Sequence, residues 1–497
     1  MGLKVDSSFL KFLTMGALGT RRVYALMEQA GLQPIELERY SRSNKIWSTK
    51  VKRLRLPDLL CVKTGLRVEV RAKSKLAIKM SDAETNPDRR WNTGLAADDM
   101  IAFVLINEKA DEGLVAADNA ELFWVDDLVT TERLSKLGPA KSASEGAEKD
   151  REWPSTVANE NGTVKKIENE EIKTTLQSGR SQSYKLKGKN VYFGPGDTFL
   201  AKSQFLAGVP AKKAALPNPA DKPWNPRTLL KSASTVDRYV AVKALSIIGK
   251  ETDMADILTI AKHDNEGRVA LEAAVTLVRL GNEQGLEILH KVIENPSLEY
   301  LRMEALLALS ELRDTPLVAQ CVDTLVDCAQ NNLFAENEVR QAAIWGLGKD
   351  GLRAYKQLLD FIDLDSKEEL IHAVCAFGSD CPHDIAVSLV EVLTDPNSSD
   401  RRRAAASFIL ARTVRTETSA PVLIQAKDSP DKLSRNWILA TLGQMNPTAI
   451  HPYVTDEAIS TQLQLLHLTS PETNWTRSEN FMEMITFVHK QTVDAPR

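Results

Sequence analysis

Histidine is absent from the first 262 residues of this 497-residue chain; the first is His263. A Ser-His-Asp triad, a histidine general base or a histidine-ligated zinc site therefore cannot be assembled from that half alone. Cysteine is sparse too. The five residues Cys61, Cys321, Cys328, Cys375 and Cys381 are odd in number and thinly spread, which excludes a disulfide framework and suits a reducing compartment. No apolar run approaches the roughly 18–20 residues of a membrane span. The opening MGLKVDSSFLKFL lacks a charged leader with an apolar core and cleavage site, and Asp6 stands where a myristoylation signal wants Ser or Thr. A cytoplasmic address without membrane contact is the expectation. Neither a Walker A sequence nor a GxGxxG following a strand occurs, so nucleotide-driven motor chemistry is not encoded.

Acidic residues are nearly missing from one stretch. Residues 39–79 hold 13 Lys/Arg and two acids, Asp58 and Glu69. The net charge of −4 conceals this asymmetry: residues 1–90 carry 19 Lys/Arg against 9 Asp/Glu, or +10, whereas residues 227–497 carry 27 against 38, or −11. Charge of one sign on a short segment is the footprint of a surface that meets phosphates. Lys45, Lys50, Lys52, Arg53, Arg55, Lys75, Lys79, Arg89 and Arg90 are the candidate nucleic-acid contacts. In DRRWN (88–92), Trp91 suits either a base or a capping position over a sheet.

Periodicity gives a multidomain chain. Residues 8–30 read as helical, in two pieces broken near Gly16 and Gly19. Strand-like runs follow at 33–39, 57–63, 66–73, 100–106 and 120–125, with a turn at Thr64 and Gly65 and a helix or ordered loop over 81–99. This order describes an α/β domain with a mixed sheet over residues 1–136. Residues 137–176 are charged and poor in large apolar residues, and read as a linker. Residues 177–226 read as a small β-rich segment ending in the Pro-rich joint LPNPADKPWNP.

From 227 to the end the pattern is helical and repeats. DRYVAVKALSIIG, RVALEAAVTLVRLG, LRMEALLALSEL, VRQAAIWGLG, LIHAVCAFG, RRRAAASFILA and SRNWILATLG align with equivalent positions at 244, 276, 308, 346, 376, 409 and 441. Arg238, Arg302, Arg340, Arg403 and Arg435 each lie six residues before that position, where inter-repeat ion pairs are the expected use. Over roughly 230–445 this resembles short HEAT-like repeats, which implies an all-α solenoid with a C-terminal extension and a surface for a protein partner or self-association. The cluster His372, Cys375, Cys381, His383 has metal-ligand residue types, but Cys375 sits in the apolar helix pattern and the spacing fits no standard zinc finger; a packed cysteine with surface histidines is the expectation.

Side chains alternate along a strand, so Glu69, Arg71 and Lys73 share one face and Val68 and Val70 the other. A hairpin turning at Thr64–Gly65 brings Asp58 toward Glu69, and two carboxylates are what a hard cation such as Mg²⁺ is held by. The stretch "PD", ten residues, then "EVRAK" resembles the signature of the PD-(D/E)XK nuclease superfamily, and so does the element order of residues 8–106. The resemblance implies a restriction-endonuclease-like fold and a Mg²⁺ or Mn²⁺ site with Asp58 and Glu69 as ligands. In some members an acid from the first helix is added; here that is Glu28, the only acid in residues 7–35. The lysine of the signature falls on Arg71, which stays protonated and cannot act as a base. Lys73, on the same face, is the residue able to take over by reaching back.

The resulting expectation is a metal-dependent DNA endonuclease or DNA-targeting effector, with restriction or anti-phage defence suggested by domain pairing. The alternative is a non-catalytic nucleic-acid-binding adaptor joined to a repeat scaffold.

Overall fold

A computed structural model describes residues 7–37, 54–109, 113–140, 148–221, 224–312, 314–331, 338–348, 352–445 and 447–454. Its contacts divide the chain into two units, the first running to Ile248 and the second beginning at Gly249.

The first unit opens with α1 (Ser7–Gln29), unbroken through Gly16 and Gly19. Gly19 stays in the helix because it packs there: an added β-carbon would lie 3.1 Å from Ala72 of the sheet beneath. Then come β1 (Pro34–Glu36), β2 (Leu59–Cys61), β3 (Arg67–Lys73), β4 (Ile78–Asp82), β5 (Met100–Lys109), β6 (Gly113–Ala116) and β7 (Glu121–Trp124). The main sheet has the order β1-β2-β3-β5-β6, with β7 also paired to β5. β1, β2 and β3 form an antiparallel meander, and β3 runs parallel to β5. Of the stretch 81–99, residues 81 and 82 end β4, and the rest is an ordered loop with one 3-10 turn (Pro87–Arg89). Met15, Val23, Tyr24 and Met27 of α1 form a core with Leu59, Cys61, Val68 and Val70 on one face of the sheet.

After α2 (Val125–Thr130), the segment expected to be a linker folds as strands: β8 (Lys136–Ala140), β9 (Lys149–Trp153), β10 (Ser155–Val157), β11 (Gly162–Glu168) and β12 (Glu171–Leu176). β13 (Ser181–Lys185), β14 (Asn190–Val191), β15 (Thr198–Phe199) and β16 (Phe205–Gly208) follow. They make three small sheets, β4-β9-β8, β10-β16-β14 and β13-β12-β11-β15. The charged composition misleads because each strand buries only one face. Val164, Ile172, Leu176, Phe199 and Leu206 make one small core, while Ile78, Met80, Trp91 and Trp153 join Ile101, Phe103 and Phe123 in another over the second face of the main sheet.

The unit ends with α3 (Thr235–Ile248), the first of the seven repeat segments. Its Val240 and Ala244 pack on Ile35, Leu37, Leu60 and Val62. The boundary expected at 226/227 therefore falls one helix later.

The second unit is an array of paired helices: α4 (Met254–His263), α5 (Gly267–Arg279), α6 (Glu283–Glu294), α7 (Glu299–Leu309), α8 (Val318–Gln330), α9 (Glu338–Leu347), α10 (Leu352–Leu358), α11 (Lys367–Ala376), α12 (His383–Thr394), α13 (Asp400–Phe408), α14 (Thr416–Ala426), α15 (Lys432–Gln444) and α16 (Pro447–Ile450). The odd-numbered helices from α5 to α15 each touch the next odd one, as repeat stacking requires.

The repeated arginines do more than pair with acids. Arg302 donates to the Ile293 carbonyl (2.7 Å), Arg340 to Ala329 (2.7 Å), Arg403 to Asp395 (2.8 Å) and Arg435 to Ser429 (2.7 Å). Those carbonyls lie at or just beyond the C-termini of α6, α8, α12 and α14, where helices leave acceptors unsatisfied and the dipole is negative. Arg340 also holds Glu369 of the next repeat at 3.2 Å, with the two side chains 12% and 6% exposed. Arg340→Ala takes this guanidinium from a buried carboxylate and from the α8 carbonyl, and a loss of about 3 kcal/mol is expected. Urea unfolding measures it, and an unchanged midpoint would remove the argument.

Candidate functional site

β2 and β3 pair with Leu59 opposite Val68 and Leu60 opposite Arg67. Asp58 lies in the bend immediately before β2, one residue short of the paired stretch. Leu59 and Val68 face α1, so the neighbouring positions Asp58, Arg67, Glu69, Arg71 and Lys73 belong to the other face. On that face α3 covers Leu60 and Val62, and the aromatic core covers Ile101 and Phe103, the parallel-ladder partners of Glu69 and Arg71. The site strand thus runs between two covered regions.

Both acids are held. The Asp58 carboxylate accepts the Val70 N–H at 2.7 Å, and its backbone carbonyl accepts the Leu37 N–H at 3.0 Å, which ties it to both flanking strands. Glu69, 13% exposed, meets the Arg71 guanidinium at 3.0 Å. Lys73 is half-buried on the same face, about 6.6 Å beyond Arg71 at ~3.3 Å per residue.

The turn and approach that set this hairpin depend on two glycines. Gly65 has φ +71 at the β2–β3 turn, and a β-carbon there would lie 2.7 Å from the Trp224 ring. Gly94 has φ +82, and its β-carbon would meet the Arg55 carbonyl oxygen at 2.2 Å, so only glycine lets the chain leading to Asp58 pass so close.

Beneath Glu69 lies a buried ion cluster that sequence reasoning did not find. Arg67 Nε sits 2.6 Å from Asp99 and its Nη1 2.9 Å from Asp237 of α3. Asp99 also accepts the Ala96 N–H at 2.7 Å. Burial pushes the Asp99 carboxyl up to about 6 against the pull of Arg67. Burial also opposes the Arg67 charge, but the two aspartates outweigh it and hold the guanidinium above its ordinary value. No local motif announces this cluster, because its members are 32 and 170 residues apart in sequence.

The remaining predicted residues separate. Glu28 is exposed at the end of α1, the helix that covers the Val68/Val70 face, and with Glu36 it raises the pKa of Tyr24, where burial is the larger cause. It does not join Asp58 and Glu69: among the described residues no three His, Cys, Asp or Glu side chains gather as a metal site. Arg90 is committed inside the protein, 3.2 Å from Asp82 and 2.5 Å from Glu132, in a network with Arg151. Trp91 is buried edge-on against Trp153, with ring centroids 5.2 Å apart. It therefore caps the sheet and offers no face to a base. Lys79 pairs with Asp150 at 3.0 Å. Arg55, Lys75 and Arg89 are exposed. Lys45, Lys50, Lys52 and Arg53 lie outside the described residues. In the second unit Cys375 and Cys381 are buried, and burial, aided by Asp380, pushes the Cys381 thiol up to about 12.

Comparison with known proteins adds no functional assignment. No protein family matches the chain, and no curated protein matches it. Among solved structures it is similar to the complex of CpcE and CpcF of phycocyanin lyase from Nostoc sp., at 16% identity over 52% of this chain and 99% of that one, with a TM-score of 0.26. Human deoxyhypusine hydroxylase in complex with glycerol gives 15% identity over 46% and 85%, with a TM-score of 0.19. A designed armadillo repeat protein in complex with the peptide (KR)4 gives 15% over 45% and 99%, with a TM-score of 0.22. Scores this low carry no argument, and the repeat architecture rests on the helix pairing described above. Among the described residues no helix is long and apolar enough to cross a membrane.

Proposed function

We propose that the first unit is a divalent-metal-dependent phosphodiester hydrolase acting on DNA, related in design to PD-(D/E)XK nucleases, and that the repeat unit serves as its protein-interaction scaffold. The observation that supports the reading is that the Asp58 carboxylate, in the bend before β2, accepts the N–H of Val70, the residue after Glu69, on the strand that also bears Arg71 and Lys73. The donor set suits a hard cation: carboxylate oxygens only, set in a basic strand, with Mg²⁺ or Mn²⁺ completing its coordination from water and phosphate. A cation held there supplies Lewis-acid polarisation of the phosphoryl group and lowers the pKa of a bound water.

The chain's own residues do the rest. Val70 N–H fixes the Asp58 carboxylate, so one ligand position is set in advance. Arg71, permanently charged, stays beside Glu69 and offsets negative charge at a phosphate. Lys73 is the remaining amine on the strand face and the candidate for positioning the attacking water. Exposed Arg55, Lys75 and Arg89 offer phosphate contacts. In the repeat unit the second helices expose Asp256, Glu287, Asp323 and Glu391, which favours a basic protein partner.

One observation favours a second reading. Arg71 occupies the lysine position and engages Glu69 directly, which fits a domain that grips nucleic acid without cutting it. Incubating purified protein with supercoiled plasmid separates the two. Nicking that requires Mg²⁺ or Mn²⁺ and stops with EDTA is expected; intact plasmid with salt-sensitive binding retained would leave only the gripping module.

A further inference from the structure

The first repeat helix is built into the hairpin that carries the candidate site. Asp237, in the first turn of α3, reaches Arg67 at 2.9 Å, and Arg67 stands two residues before Glu69 on the same strand face. Asp99, immediately before β5, takes the other side of the same guanidinium at 2.6 Å. Three elements therefore converge on one fork: β3, β5 and α3. Tyr239, two residues along, donates to the Leu37 carbonyl at 3.3 Å, and Leu37 N–H in turn bonds the carbonyl of Asp58. Trp224, in the Pro-rich joint before α3, lies against Gly65 at the tip of the β2–β3 turn. The hairpin is gripped at its turn, at Arg67 and, through Leu37, at Asp58.

An arginine buried to 7% exposure between two aspartates is costly to assemble, and hydrophobic residues of similar volume stabilise as well or better. What such a fork supplies is geometry, since its planar donors fix two carboxylates relative to one strand. We propose that α3 is a working part of the site, with Asp237, Arg67 and Asp99 as positioning residues that hold the β3 segment of Glu69 and Val70 against Asp58. The proposal rests on the metal-site reading above for its function, but its structural half does not.

The test uses the full-length protein as wild type, Asp237→Asn, Trp224→Leu and the double variant Asp58→Ala/Glu69→Ala. Two quantities are read: Mn²⁺ affinity without DNA, by electron paramagnetic resonance of free Mn²⁺, and hydrogen exchange of the β3 amides, Val70 included. Asp237→Asn is expected to weaken Mn²⁺ binding about tenfold, as loss of a residue that orients a metal ligand commonly does. It should speed β3 exchange selectively, with the melting temperature within a few degrees of wild type. Trp224→Leu carries no charge change, so weakened Mn²⁺ binding there excludes a simple loss of negative field as the cause. Unchanged Mn²⁺ affinity in Asp237→Asn and Trp224→Leu, or exchange that rises equally in every strand, overturns the positioning role. If wild type and the double variant bind Mn²⁺ alike, the metal-site reading fails instead, and selective β3 exchange alone then decides whether α3 grips the hairpin.

Discussion

On the proposed reading, Asp58→Ala and Glu69→Ala are each expected to lower Mg²⁺- or Mn²⁺-dependent plasmid cleavage at least about a hundredfold, because each removes one of the two carboxylates proposed to hold the cation. The described residues offer no substitute: no third acid joins the pair, and Glu28 belongs to the helix on the opposite face of the sheet. Affinity for DNA should stay within about threefold, since the proposal assigns the phosphate contacts to exposed lysines and arginines and not to these two acids. The two variants are not equivalent structurally. Asp58→Ala also leaves the Val70 N–H without its acceptor, at about 1–2 kcal/mol. Asp58→Asn keeps a carbonyl oxygen there and isolates the loss of charge. Glu69→Ala frees Arg71 from its partner and leaves the surface more cationic, so DNA binding should strengthen slightly as cleavage disappears. Initial rates with plasmid, alongside anisotropy titrations with a labelled duplex, separate these effects. Cleavage at the wild-type rate in both alanine variants would end the assignment.

The central strands and the helical repeats are legible in the sequence, and what is not has physical causes. β2, β3 and β5 announce themselves through apolar runs and alternation because they are central strands whose faces are largely covered, and β7, paired to β5, does so through the buried Phe123. The hairpin β11–β12 does not, since KKIENEEIK reads as polar linker. It folds because Val164, Ile172 and Leu176 on one face suffice for a small core, and Asn169 and Glu170, at φ 49 and 56, make the tight turn with both central residues left-handed. Asp58 and Glu69 stood out by the scarcity of acids around them. Arg90, a candidate from the DRRWN stretch, shows the limit of reading charge locally: Asp82, eight residues earlier, and Glu132, 42 residues later, both pair with it. Nor can the 3.6-residue period of α3 tell which core it enters. Its repeat-like pattern matches the helices that follow, while its partners are Ile35, Leu37, Leu60 and Val62.

That misplacement has a measurable consequence. A fragment ending at residue 226, where composition puts the domain boundary, is expected to be molten or to aggregate, whereas one ending at residue 248 should melt cooperatively. Removing α3 uncovers Ile35, Leu37, Leu60 and Val62 and deletes Val240 and Ala244 from their core. Partial exposure of such side chains, at ~1.5–3 kcal/mol for each fully buried one, sums to on the order of 5–10 kcal/mol. A domain of this size has only about 5–15 kcal/mol in total. The loss also takes Asp237 from Arg67 and the Tyr239 hydroxyl from the Leu37 carbonyl, leaving a buried guanidinium with Asp99 as its remaining carboxylate partner in the cluster. Gel filtration and thermal melts of the two fragments give the answer. Equal, cooperative melting of both would mean that α3 rests on the sheet without supporting it, and the gripped-hairpin account of the site would have to be abandoned with it.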